Sequence, residues 1–212
     1  MKMYIQQLDV ARSARTIALV AAIAAGPLMT ANAQSNARTW YNGQHPAVTC
    51  AKGVASTDVS DAHLLRICRD ALALRGNSRS VKSRTLVNTG ILEMRRGHSA
   101  KAIALFERAQ RVDPALPDIR VNVAAAKIRN GEYEAALLTL EDIPTIAEPQ
   151  RHEAYYNRGL AHWHLGDFEA AYRDFAAAQR LAPEYLPARN MLSNFTFEPV
   201  QQTEREDTSA SG

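Results

Sequence analysis

Two stretches of the chain decide the fold. Residues 84–114 read RTLVNTGILEMRRGHSAKAIALFERAQRVDP, and residues 153–183 read EAYYNRGLAHWHLGDFEAAYRDFAAAQRLAP. A shift of 69 residues superposes them with nine identities. The identical pairs are Asn88/Asn157, Gly90/Gly159, Gly97/Gly166, Ala102/Ala171, Phe106/Phe175, Ala109/Ala178, Gln110/Gln179, Arg111/Arg180 and Pro114/Pro183. A match of this length at fixed spacing predicts two copies of one structural unit.

A third copy lies between these two, because 69 is about twice 34. A shift of 34 residues brings five positions of the middle stretch into register with the first: Asn122, Ala124, Gly131, Ala136 and Leu140. This copy is degenerate, since its closing proline is Pro149, one residue late, and Pro144 is expected to shorten its second helix.

Each copy is predicted to be a helix, a short turn and a second helix. Gly97, Gly131 and Gly166 stand where the first helix should end, because the left-handed position after a helix favours glycine. In the second helix, Ala102, Phe106 and Ala109 are spaced i, i+4 and i+7, so they form one apolar stripe that packs inward. The small side chain at Gly90, and at its equivalents, lets the partner helix approach closely.

This arrangement resembles the tetratricopeptide repeat family, with its 34-residue period, small residue in the first helix, Ala/Phe/Ala stripe in the second and closing proline. The resemblance covers about half of the chain and implies an all-α fold, a short right-handed solenoid with capping helices at both ends. We expect three units, at residues 83–116, 117–151 and 152–185. A C-terminal capping helix should follow at 186–196, and a polar, disordered tail at 197–212.

Residues 1–33 are predicted to be a signal peptide. A basic start with Lys2, Arg12 and Arg15 precedes an apolar run, and the run ends at Ala31-Asn32-Ala33, the small-x-small spacing that signal peptidase accepts. A bilayer-spanning helix needs about 18 to 20 continuous apolar residues, and Pro27 interrupts this run too early. We expect cleavage after Ala33 and a periplasmic or secreted protein without stable membrane insertion, with an uncleaved anchor as the alternative.

Net charge gives no support to nucleic-acid binding. The sequence pI is 9.0, but removal of residues 1–33 leaves a formal net charge of only +1, and the chain has no long block of like charge.

Cys50 and Cys68 are the chain's two cysteines, and they lie in the expected N-terminal capping segment, residues 34–82. In an exported protein an even cysteine count favours pairing, and the bond would contribute about 3 kcal/mol. Two buried thiols are the alternative if the chain is not exported. Residues 61–74 carry Leu64, Cys68 and Ala71 at helical spacing and are expected to form the second helix of a degenerate half-unit.

Catalytic and metal-binding patterns were not found. His152-Glu153 begins like a zinc-protease pair, but Tyr156 stands where the second histidine ligand should be. His162 and His164 are two apart on a predicted helix, so they face different directions and do not readily share a metal. We therefore expect no enzyme activity, no cofactor and no metal.

The concave side of the solenoid, lined by the first helices, is the binding surface that the resemblance implies. Its first helices carry an asparagine row, an apolar row and a basic edge. The candidate peptide-binding residues are Asn88, Asn122, Asn157, Arg95, Arg129, His164 and Trp163. An amide can donate to a peptide carbonyl and accept from a peptide N–H, whatever the partner's side chains. Equally, these asparagines could satisfy local backbone groups, and the sequence does not decide between the two.

The sequence thus predicts a non-catalytic scaffold of the cell envelope that holds a peptide or protein segment in its concave groove. Its basic row could favour acidic groups of the partner. The alternative is an envelope-associated subunit that binds cell-wall glycan or a membrane complex through its convex face or tail. The oligomeric state is left open, and an enzyme with an unrecognised site is the third hypothesis.

Overall fold

The computed structural model describes residues 2–5, 43–56, 60–116 and 119–198. Within these ranges the chain forms nine α-helices, one 3₁₀ helix at Ile143–Thr145 and one strand pair. The elements, in chain order, are β1 (Lys2–Ile5), α1 (Pro46–Ala55), α2 (Asp61–Ala73), α3 (Arg79–Arg95), α4 (Ser99–Val112), α5 (Ile119–Arg129), α6 (Tyr133–Thr139), α7 (Glu148–His164), α8 (Phe168–Leu181), α9 (Leu186–Leu192) and β2 (Phe195–Glu198).

The helices are arranged as four consecutive pairs followed by α9. In each pair the two helices pack on each other, and the second helix also packs on the first helix of the next pair. The first helices, α1, α3, α5 and α7, contact one another in sequence and form an inner row. This is the all-helical repeat architecture that the sequence predicts.

A glycine facing an aromatic ring joins the helices of the two regular pairs. A Cβ on Gly90 in α3 would lie 2.5 Å from the Phe106 ring in α4, and one on Gly159 in α7 would lie 2.7 Å from the Phe175 ring in α8. Both rings are fully buried. Only glycine therefore allows the helices to approach this closely without moving the ring.

The turn inside each of the three repeat units is built in the same way. Gly97, Gly131 and Gly166 have φ angles of 84°, 82° and 82°, in the left-handed region that glycine adopts without strain. In the first unit the N–H of Gly97 donates to the Met94 carbonyl, and that of His98 donates to the Glu93 carbonyl. Equivalent bonds close α5 and α7, so the carbonyls at each helix end are satisfied.

The middle unit is shorter than its neighbours. Helix α6 has only seven residues and ends at Thr139, whose hydroxyl donates to the Ala135 carbonyl at 2.7 Å. The chain then fills the core with irregular structure, since Leu140, Ile143 and Ile146 are all buried. Apolar burial thus continues through the stretch around Pro144, where the regular second helix is lost.

The N-terminal segment is a full helix pair and not the half-unit expected from the sequence. Helix α1, which has no match in the repeat pattern, precedes the anticipated helix α2, and Cys50 and Cys68 form a disulfide between them with a Cα–Cα distance of 5.1 Å. Gly53 of α1 faces Leu64 of α2, which parallels the glycine contacts of the regular pairs.

The C-terminal end also differs from the expected single helix over 186–196. Helix α9 ends at Leu192, because the side chains of Ser193 and Asn194 both donate to the Asn190 carbonyl and close the last turn. Strand β2 follows and pairs antiparallel with β1, residue Phe195 opposite Ile5. The predicted tail beyond residue 198 and most of the predicted signal peptide, residues 6–33, lie outside the described residues.

No helix within the described ranges has the length and apolar character needed to cross a membrane.

The buried apolar side chains divide into two clusters. One joins α1 to α4 with part of α5, and the other joins further side chains of α5 with α6 to α9 and Phe195.

Candidate peptide-binding site

The three predicted asparagines lie on the inner row in two different environments. Asn88 of α3 and Asn122 of α5 are half-buried, and their side-chain amides make no hydrogen bond to any other residue within the described ranges. Asn157 of α7 is 5% exposed, and its Nδ2 donates to the Val121 carbonyl of α5 at 3.4 Å. Asn157 therefore joins two helices, whereas Asn88 and Asn122 keep amide groups that a partner could bind.

The apolar row beside the asparagines is closed. Five of its six side chains are at most 5% exposed, and the sixth, Trp163, is half-buried. The five are Ile91, Met94, Ala125, Ile128 and Leu160. They belong to the two hydrophobic clusters and do not form an open apolar floor. Contact with a partner on this face therefore depends on polar side chains.

The predicted basic row retains little free charge. Arg95 reaches back to the N-terminal pair, where its Nη2 donates to the Val54 carbonyl at 2.8 Å and its Nη1 lies 3.9 Å from Asp61 Oδ1. The ring of His164 stacks on Tyr133 with centroids 4.5 Å apart, and burial lowers its pKa below the usual value near 6.5. These contacts hold Arg95 and His164 in place although both residues are exposed, and Arg129 of α5 is exposed as well.

Trp163 belongs to an aromatic cluster at the C-terminal end of the array. Its ring lies edge-on to Phe168, with centroids 5.1 Å apart, and to Phe195, with centroids 5.5 Å apart. Phe195 also contacts Tyr172. Trp163 therefore anchors the segment after α9, and its half-buried side chain is committed to that packing.

A second polar group on α7 was not among the predicted site residues. Glu153 is buried with 8% exposure, and burial raises its pKa to about 8. His152 Nε2 lies 3.8 Å from its Oε1, and the rings of Tyr156 and Tyr185 meet edge-on with centroids 5.4 Å apart in the same region. The signal was present in the sequence, since Glu153 precedes Asn157 by one helical turn and so shares its face.

A second buried glutamate, Glu93, lies near the N-terminal end of the array and is surrounded by basic side chains. Glu93 of α3 is 4% exposed and lies 2.7 Å from His98 Nδ1, 3.5 Å from Arg96 and 3.6 Å from Arg69 of α2. Burial alone would raise the pKa of Glu93, but the His98 hydrogen bond and the nearby positive charges together lower it. This carboxylate is part of the contact between the N-terminal pair and the first unit.

Comparison with known families agrees with the repeat pattern. Two tetratricopeptide repeat models match the chain, one at residues 93–158 and one at residues 152–185. The chain therefore contains tetratricopeptide repeats, as its fold and its internal spacing indicate.

Several known proteins are similar to parts of this chain. Over 90 residues the chain is 32% identical to the heat-shock protein cognate co-chaperone sgt12 of Aspergillus fumigatus, which corresponds to 42% of this chain and 26% of that relative. The solved structure of MamA from Desulfovibrio magneticus matches 69% of this chain and 81% of that one, with 21% identity and a TM-score of 0.55. The solved structure of the first tetratricopeptide repeat domain of human RPAP3 matches 52% of this chain and 87% of that one, with 24% identity and a TM-score of 0.48.

The chain thus spans about a quarter of the curated relative, and its likeness to MamA is a likeness of fold. Tetratricopeptide repeats are generally non-catalytic modules that bind proteins or peptides. The fold therefore supports a protein-protein interaction scaffold.

Proposed function

We propose that the chain is an exported scaffold that holds an extended peptide or protein segment along the inner row of its solenoid. The observation that carries this proposal is the pair of half-buried amides at Asn88 and Asn122, which stand on adjacent first helices without a hydrogen-bond partner in the described part of the chain. An amide pair of this kind can bond to the backbone of a bound segment, so that capture tolerates different side chains.

Affinity capture from an envelope extract tests this function. The chain is compared with a variant that carries Asn88→Ala and Asn122→Ala, while Asn157 is left intact because it bonds to Val121. Leu138→Ala is the control, since that side chain is 74% exposed on the second helix α6. We expect a partner that the chain and the control retain and the double variant loses. Loss with Leu138→Ala alone would favour the convex-face alternative.

The export part of the proposal rests on the N-terminal pattern and on the cysteine pair. A basic start, an apolar run and the Ala31-Asn32-Ala33 site fit a secretory signal, and the Cys50–Cys68 bond suits an oxidising compartment. Intact-mass measurement of protein recovered from the periplasm should give a chain that starts after Ala33, and so lacks strand β1, and that has no titratable thiol. A product that retains residues 1–33, or that reacts with two equivalents of a thiol reagent, would contradict this part.

A further inference from the structure

Three acidic side chains are buried in the part of the chain that the structure describes, and one of them differs from the other two. Asp174 receives two hydrogen bonds from the Arg158 guanidinium, at 2.7 and 2.8 Å, and Glu93 lies within 3.6 Å of Arg69 and Arg96. Glu153 has no arginine or lysine in the described residues at ion-pair distance. Burial of an ionised carboxylate without a nearby cation is energetically unfavourable. Such a carboxylate can therefore bind a cation that a partner supplies.

The histidine beside Glu153 does not neutralise it. His152 Nε2 lies 3.8 Å from Glu153 Oε1, but burial lowers the pKa of His152, although its bond to the Pro149 carbonyl opposes this. The imidazole is therefore mainly uncharged near pH 7. Glu153 is itself mainly protonated near pH 7, because burial raises its pKa to about 8. A cation from outside would bind its ionised form without an internal competitor.

Two tyrosines lie beside the His152–Glu153 pair. Tyr185 lies between α8 and α9, and its ring is edge-on to both His152, at 4.9 Å, and Tyr156, at 5.4 Å. The pKa of Tyr185 is raised by burial and also by the charge of Glu153, which places the phenol within the field of this carboxylate. Aromatic faces beside a carboxylate attract ammonium and guanidinium groups.

We propose that Glu153, Tyr156 and Tyr185 form a receptor for one lysine or arginine side chain of the segment that the inner row holds. This inference rests on the proposed function and specifies the chemistry of its partner. The Glu153 side chain is only 10% exposed, so a cation on a long, flexible stem is the group that reaches it. A metal ion is a poorer fit, because the described residues contain no group of three metal-ligating side chains.

The test is a double-mutant cycle on the full chain with a defined peptide. The tightest binder from a random library of end-blocked peptides is resynthesised with each lysine or arginine replaced in turn by norleucine, and each form is titrated against the chain and against Glu153→Gln. Glu148→Gln is the matched control, since Glu148 is exposed at the start of the same helix.

At pH 9, where Glu153 is ionised, we expect one basic residue of the peptide to couple to Glu153 by about 10- to 100-fold in Kd, the range of a charge-assisted hydrogen bond, and none to couple to Glu148. Peptides that bind without such coupling would overturn this inference and leave the proposed function standing. A library without any binder would contradict the proposed function itself.

A measurement without peptide tests the inference even if the library contains no binder. Glu153→Gln should raise the melting temperature at pH 9, where the unpaired carboxylate is ionised, and have little effect at pH 5. A variant that melts lower than the parent chain at pH 9 would show that the ionised Glu153 has an internal cation partner, and the inference would be wrong.

Discussion

The first and third repeat units share a framework and differ in the charged groups that lie around a buried glutamate. Each closes its helix pair with a glycine against a phenylalanine and ends its first helix with a left-handed glycine. Glu93 of the first unit is surrounded by cations, whereas Glu153 of the third is beside a mainly neutral histidine. In the 69-residue register Glu93 corresponds to His162, and Glu153 to the exposed Arg84. Repeated positions therefore maintain the fold, and the positions that do not repeat distinguish one unit from another.

The largest expected effect tests the shared framework. Phe106→Ala and Phe175→Ala should each lower the free energy of unfolding by about 3–5 kcal/mol, because each ring is fully buried against a glycine and leaves a cavity. Urea denaturation followed by circular dichroism measures both. Losses that differ by more than about 2 kcal/mol would show that the two pockets are not equivalent.

Removal of the disulfide should destabilise the N-terminal end of the molecule and leave the C-terminal end little changed. Cys50 and Cys68 are 18 residues apart, so Cys50→Ser with Cys68→Ser should cost about 3 kcal/mol in the chain-entropy account. Hydrogen exchange should speed up in α1 and α2 and change little in α8, which packs in the other hydrophobic cluster. Equal acceleration in α8 would mean that the two ends unfold as one unit.

The two buried glutamates should respond with opposite signs. Glu93→Gln is expected to cost about 1–3 kcal/mol at pH 7, because it removes the charge that Arg69, Arg96 and His98 surround. The folded-state pKa of Glu93 is lowered, so its contribution is present above the unfolded value near 4.5 and is lost as pH falls through the folded value.

The folded-state pKa of Glu153 is raised from 4.5 to about 8, so stability should fall as pH rises between those values, by up to about 1.4 kcal/mol per pH unit. Glu153→Gln should remove that slope. The depressed pKa of His152 acts in the other direction below about 6.5, so thermal melts from pH 6.5 to 9 give the clearest comparison. Parallel pH profiles for both glutamine variants would contradict the difference between the two ends.

The smallest effect concerns the turns. Gly97→Ala and Gly166→Ala should each cost about 1 kcal/mol, because an alanine is strained at φ angles of 84° and 82° while its Cβ meets open space. Differential scanning calorimetry of both variants should give matching decreases in Tm. A neutral result at either glycine would mean that the local backbone relaxes out of the left-handed region.

The repeat pattern made the framework predictable from the sequence. Gly90, Phe106, Gly97 and their equivalents determine where helices end and pack, through rules that operate within a few residues. Helix α1 could not be found in this way, because the stretch PAVTCAKGVA has no partner in the repeat and is held by contacts with α2 and α3.

The candidate site was less predictable, because its chemistry depends on which charges meet in space. Arg95 was expected to be a free cation, yet the fold brings it to the Val54 carbonyl, 41 residues away. A glutamate on a helix is normally solvated, and Glu153 is unusual because the folded chain buries it. Three equivalent asparagines likewise gave no sign that Asn157 alone would be bound to a neighbouring helix.

Capture of a segment by the first helices is most directly tested by NMR titration with the tightest end-blocked peptide from the library. Side-chain amide signals of asparagine are resolved from the backbone, so Asn88 and Asn122 report directly on the bound segment. The proposal predicts that these signals shift together with backbone amides of α3, α5 and α7. Shifts confined to α4, α6 and α8 would contradict it and place the binding surface on the second helices.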